Sequence, residues 1–66
     1  MIEFNTTEFE FSHGKQPRGH GDWAFLLQAI NRADRVIWIH GSYGEAKKQA
    51  RKTARELRYY RVKVLP

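Results

Sequence analysis

Asp22-Trp23-Ala24-Phe25-Leu26-Leu27-Gln28 is the stretch that decides how this 66-residue chain folds. Read with period two, Trp23, Phe25 and Leu27 line one face of a strand. Read with the 3.6-residue period of a helix, Asp22 becomes a cap and the apolar side is Trp23, Leu26, Leu27 and Ile30. A glycine-rich loop precedes the stretch and a polar turn, Asn31 to Asp34, follows it, so the strand reading makes a hairpin of ordinary proportions. The helical alternative would give a β-α-β-α-β chain with a parallel sheet.

Downstream of the turn, Arg35-Val36-Ile37-Trp38-Ile39-His40 is rich in β-branched and aromatic residues and ends at Gly41. That composition is a strand. The next segment, Gly41 to Arg58, carries the clearest helical signal. Ser42 stands three residues before Glu45, the spacing of a capping box. Ala, Lys, Gln, Arg, Glu and Leu, all good helix formers, fill the turns that follow. At about 100° per residue, Ala46, Ala50, Thr53, Ala54 and Leu57 share one stripe. Lys47, Lys48, Arg51, Lys52, Arg55 and Arg58 share the neighbouring arc. The small alanines predict close approach to a flat partner, most simply a sheet. Arg61-Val62-Lys63-Val64 then alternates as a last strand before Pro66.

Upstream, Glu8-Phe9-Glu10-Phe11 also alternates, which predicts a strand with Phe9 and Phe11 facing inward. Ile2 and Phe4 have the opposite parity. Either that strand kinks at Asn5-Thr6-Thr7, or the first residues form a separate edge segment. His13 to Gly21 reads as a nine-residue loop with three glycines and one proline. The expected architecture is therefore one α+β domain over residues 1–66. Its order is β-β-β-α-β, an antiparallel sheet with one helix on one face.

A chain of this length buries only about 60% of its unfolded surface. It has no cysteine, which excludes disulfides and thiolate zinc sites, so two Trp, three Tyr and four Phe must supply much of the core. There is no apolar run long enough to span a membrane. The N-terminal MIEFNTTEFEF lacks the basic and apolar regions of a signal peptide, and the expected location is a cytosol, bacterial or that of a viral host. Net charge is +5. Residues 41–66 hold eight Lys/Arg against two acids, a balance of +6, and residues 1–40 hold four against five, −1. Such asymmetry is an electrostatic footprint for nucleic acid or for an acidic protein surface, although solubility alone would also account for it.

Pro17-Arg18-Gly19-His20-Gly21-Asp22-Trp23-Ala24-Phe25, then Arg35 to Ile39, then Gly41-Ser42-Tyr43 and an alanine-rich helix, resembles the AP2-type and phage-integrase N-terminal DNA-binding domains. In those families a glycine precedes a Trp-Ala pair, and a third strand leads into an A-x-x-A helix. The resemblance spans about residues 17–54. It implies a three-stranded antiparallel sheet backed by one helix, with the open sheet face in the major groove and Arg18, Trp23, Arg35 and Trp38 at or near the contacts. The chain departs from that pattern at the extra His40, in lacking most strand arginines, and in its added C-terminal strand.

The candidate chemistry is binding rather than catalysis. In the His13–Gly21 loop, Lys15 and Arg18 with glycine N–H groups suit a phosphate, though neither the P-loop nor the dinucleotide glycine spacing is present. The alternative role for those glycines is to make the turn. His13, His20 and His40 would offer three imidazoles if they met, but no H-x₃₋₅-H pair supports zinc, and no metal or other cofactor is expected. Ser12, Ser42 and Asp22 are nominal partners for a catalytic histidine, yet nothing in the spacing sets them together, so no enzyme is expected. Trp23 and Trp38 either stack nucleic-acid bases or belong to the core. Tyr59 and Tyr60 are expected to pack on the last strand with wet hydroxyls.

These features predict a nucleic-acid-binding module. Lys47, Lys48, Arg51, Lys52, Arg55 and Arg58 of the helix, with Lys15 and Arg18 of the loop, would contact DNA or RNA phosphates. The competing expectation is a small, phage-type protein that docks an acidic groove of a host enzyme. An edge strand would also allow a homodimer.

Overall fold

The computed structural model describes residues 2–66. It is an α+β fold with the order β1 (Glu3–Asn5), α1 (Thr7–His13), β2 (His20–Gln28), β3 (Arg35–Ser42), α2 (Tyr43–Glu56) and β4 (Arg61–Val64). One four-stranded sheet runs β1-β4-β2-β3. β2 pairs antiparallel with both β3 and β4, and β1 joins the far side of β4 in parallel.

The segment 20–28 is a strand. As one of the two inner strands it shields apolar groups on both faces, with Trp23, Ala24, Phe25 and Leu27 all buried. Ile30, which a helix would have turned inward, is 73% exposed. Trp23, Phe25 and Leu27 face α2 together with Val62 and Val64 of β4, and the helix presents Ala46, Ala50 and Ala54 to them with no exposed surface. Three small side chains on one stripe let the helix lie close over the sheet, as their spacing predicts.

The expectation of a strand at Glu8–Phe11 is overturned: these residues lie in α1. Asn5 Oδ1 accepts from the Thr7 N–H at 2.8 Å, and the Thr6 hydroxyl donates to the Glu10 carboxylate one turn on. Gly14, at φ 70°, takes the left-handed cap position and donates its N–H to the Glu10 carbonyl. Polar groups that satisfy the ends outweigh a four-residue alternation that a helix tolerates equally. Phe9 goes into the core, 5.7 Å from the Trp23 ring, and Phe11 is left 91% exposed rather than inward-facing. The first residues do form a separate edge strand. Phe4 lies on the helix side of it, its ring edge-on to Phe25 at 6.5 Å.

Two further expectations change. The sheet is mixed rather than antiparallel, because β1 and β4 run in the same direction. The element order is β-α-β-β-α-β instead of β-β-β-α-β. The place beside β2 that an N-terminal strand would have taken is held by β4, from the other end of the chain.

Ser42 caps α2 as its spacing foretells, with Oγ accepting from the Glu45 N–H at 3.2 Å. Removing that acceptor leaves an N–H unsatisfied in the first turn. Ser42→Ala is therefore expected to cost about 1 kcal/mol, read as a lower urea midpoint at unchanged m-value. The far end of α2 closes in a Schellman turn. Tyr59 N–H bonds to the Ala54 carbonyl at 2.8 Å and Arg58 N–H to that of Arg55 at 3.2 Å, with Arg58 itself at φ 64°. Arg32 donates to the Leu57 carbonyl and stacks over the Tyr59 ring at 4.2 Å, closing the same end. Tyr59 is buried and its hydroxyl reaches the Ala33 carbonyl at 3.3 Å, so only Tyr60 keeps an exposed position.

Candidate nucleic-acid interface

α2 separates its charges by side. Lys47 and Arg51 both reach the Phe4 ring of β1, each at 5.2 Å, so this flank of the helix looks toward the β1 edge. At about 100° per residue, Arg55, Lys48 and Lys52 continue the same arc out to the solvent side, and Arg58 follows beyond the helix in its closing turn. Lys48, Arg51, Lys52, Arg55 and Arg58 are exposed, and Lys47 is half-buried. The opposite flank, toward β3, carries Glu45, Gln49 and Glu56. The three ion pairs among the described residues are His40–Asp22, Arg61–Glu3 and Lys63–Glu8, and none involves a cation of α2. Five cations are thus held on one capped helix, with Arg58 in the turn that closes it, and none of the six is ion-paired among the described residues.

The glycine-rich connection is shorter than its sequence suggests. His13 ends α1, and His20 and Gly21 already belong to β2, leaving residues 14–19 as loop. Gly19 sits at φ 93°, and its carbonyl accepts from the Tyr43 N–H at 2.8 Å. That bond ties the loop's end to the start of α2, with exposed Arg18 next in the chain and exposed Lys15 further along it. Burial and the nearby Glu10 carboxylate push the Tyr43 hydroxyl above its ordinary pKa, so it stays protonated beside this junction.

The two tryptophans have separate fates. Trp23 is core: its ring meets Phe9 and Tyr43, and its Nε1–H donates to the Gly41 carbonyl at 3.1 Å. It is closed to base stacking. Trp38 is 70% exposed on the opposite sheet face, beside Val36 and His40 of the same strand. Arg35, paired with Leu27, has the parity of the helix side. Arg18, Trp23, Arg35 and Trp38, which the family resemblance would gather at one contact surface, therefore do not share one.

The open sheet face is close to neutral. Arg61 and Lys63 lie there with Glu3 and Glu8 each 3.7 Å away. The register also pairs Asp22 with His40, whose Oδ1 and Nδ1 are 2.8 Å apart, and sets the His20 ring edge-on to His40 at 5.3 Å. Of the three histidines considered together from sequence, His20 and His40 do meet, whereas the Asp22 contact depends on how two strands align and has no spacing signature. His13 is elsewhere, stacked on Phe9 at 4.2 Å. Among the described residues, no three or more His, Cys, Asp or Glu side chains come together in a way that could hold a metal ion.

Comparison with known proteins returns no match, whether with protein-family models, curated proteins or solved structures. No helix is long and apolar enough to cross a membrane.

Proposed function

We propose that this chain is a small nucleic-acid-binding module that grips phosphates with the outward and β1-facing sides of α2. The observation that carries the reading is a set of six cations, five on α2 and Arg58 in the turn that closes it, none of them ion-paired among the described residues. Loop residues Lys15 and Arg18 form a second patch near the start of the same helix. Contacts of this kind set affinity and position and carry no sequence information. On this reading the chain is a cytosolic binder that needs no cofactor and performs no catalysis. The sheet face, with its paired charges, is a poorer phosphate surface than the helix.

The competing occupant of the basic face is an acidic groove on a protein. Titration of labelled duplex DNA, single-stranded DNA and RNA at low salt separates the two. Saturable binding to any of them supports the module, and the preferred strand type identifies the ligand. Absence of binding to all three would overturn it in favour of a protein partner.

Arg58 gives an internal check. A non-glycine residue in the left-handed conformation costs about 1–2 kcal/mol, and glycine gives back part of that through its larger unfolded-state entropy. Arg58→Gly is expected to stabilise the domain by about 0.5–1 kcal/mol in urea unfolding while weakening DNA binding. Stability and binding moving in opposite directions is a result that general damage to the fold does not produce.

A further inference from the structure

The longer of the two sheet edges has no neighbour. β3 runs from Arg35 to Ser42 and pairs only with β2, leaving its other row of N–H and C=O groups unpartnered among the described residues. β1, the other edge, has three residues. The usual protections of an edge are short length, charged side chains (lysine above all), a proline, a bulge or a covering segment; the one fixed charge on β3 is Arg35, at its first residue. Arg35-Val36-Ile37-Trp38-Ile39-His40-Gly41-Ser42 has neither proline nor lysine, and its ladder with β2 runs unbroken from Leu27↔Arg35 to His20↔Ser42. Val36 is 48% exposed and Trp38 70% on its open face, with Ile37 and Ile39 only half-buried on the other.

We propose that β3 pairs antiparallel with β3 of a second copy, about a two-fold axis at Trp38, forming a continuous eight-stranded sheet. In this register Trp38 faces Trp38 of the second copy, Val36 faces its His40, Ile37 its Ile39, and Arg35 its Gly41. The axis is perpendicular to the sheet, so both copies keep α2 on the same side and the two half-buried isoleucine pairs join into one core. The exposed indoles cover each other on the open face, and aromatic cross-strand pairs are among the more stabilising.

Charge fits a second copy better than it fits a polyanion. The flank of α2 next to β3 carries Glu45 and Glu56, which repel phosphate, and Arg35 is the cation of this edge. The two-fold brings Arg35 against Gly41 of the second copy, just before the helix turn that bears its Glu45. Neither Arg35 nor Glu45 has an ion-pair partner within one chain among the described residues, and a side chain built on Gly41 would meet nothing within 4 Å. The cations of α2 lie on the far flank, so dimerisation leaves both basic faces free.

Sedimentation of the protein without nucleic acid tests this independently of the function proposed above. The parent is expected at twice the 7.8 kDa chain mass. Trp38→Lys and Trp38→Glu each place like charges on the axis and are expected to halve the mass, with circular dichroism unchanged because Trp38 is exposed. Mixing the two variants in equal amounts is expected to restore the dimer, since lysine then faces glutamate. Val36→Lys is a second disrupting variant away from the axis. A parent that stays monomeric up to high micromolar concentration, or variants that remain dimeric alone, would overturn the proposal. Monomeric variants that do not recombine on mixing would overturn the Trp38-centred register.

Discussion

Phe25→Ala is expected to remove most of the domain's stability. Phe25 has no exposed surface, sits on an inner strand, and lies beside Ile37 of β3 and Val64 of β4 in the ladder, with the Phe4 ring edge-on. Truncating a buried phenylalanine costs about 3–5 kcal/mol, the lost transfer energy plus the cavity left behind. At about 0.05–0.15 kcal/mol per residue, a domain this size holds only about 3–10 kcal/mol in total. No disulfide is available to resist the loss, because the chain has no cysteine. Urea unfolding at one fixed protein concentration measures it. Phe11→Ala is the control: that ring is 91% exposed, and its loss should change stability by no more than about 0.5 kcal/mol. If Phe25→Ala unfolded within 1 kcal/mol of the parent, the assignment of the core to the α2-facing side of β2 would be wrong.

The second large effect concerns binding. Lys48, Lys52 and Arg55 lie on the solvent side of α2 and contribute nothing to its packed stripe, which is Ala46, Ala50 and Ala54. Replacing all three by Ala keeps good helix formers in place, so the fold should persist. Each phosphate contact contributes a slope of about −0.9 to log affinity against log salt for duplex DNA. Loss of three contacts should make that slope shallower by about 2.7 and weaken binding to every sequence alike, because phosphate contacts do not read bases. Fluorescence anisotropy across several unrelated duplexes checks both parts. A loss confined to one sequence would move the contacts from backbone to bases.

The elements that sequence made legible are those whose signals are local. Ser42 with Glu45, the alanine stripe and the good helix formers define α2 within its own turns. β2 is ambiguous by periodicity; its flanking turn signals favour a strand without excluding the helix, and the structure decides for the strand. α1 was misread for a related reason. Glu8-Phe9-Glu10-Phe11 offers only four residues of alternation, whereas the deciding groups lie outside it, in Asn5, Thr6 and Gly14. The parallel pairing of β1 with β4 joins Phe4 to Val62 across nearly the whole chain and leaves no local trace.

The candidate site divides along the same line. The cationic arc follows from spacing on one helix and five of its six members lie on α2, whereas Arg58 falls beyond Glu56 in the closing turn. The tryptophans do not follow so simply. Trp23 shares parity with Phe25 and Leu27, which places it in the core, whereas Val36-Ile37-Trp38-Ile39 is apolar on both parities and does not say which side is covered. The Asp22–His40 pair needs the β2–β3 register, a product of turn length and packing rather than of any motif.

The central claim is that the basic face of α2 binds nucleic-acid phosphates, and the salt dependence of the parent protein's affinity tests it most directly. Anisotropy titrations of a labelled duplex between about 50 and 200 mM salt should give a straight line of log affinity against log salt. With the five α2 cations and Arg58 engaged, the slope should be about −5. Affinity that is absent at the low end, or that stays flat across the range, would contradict the account.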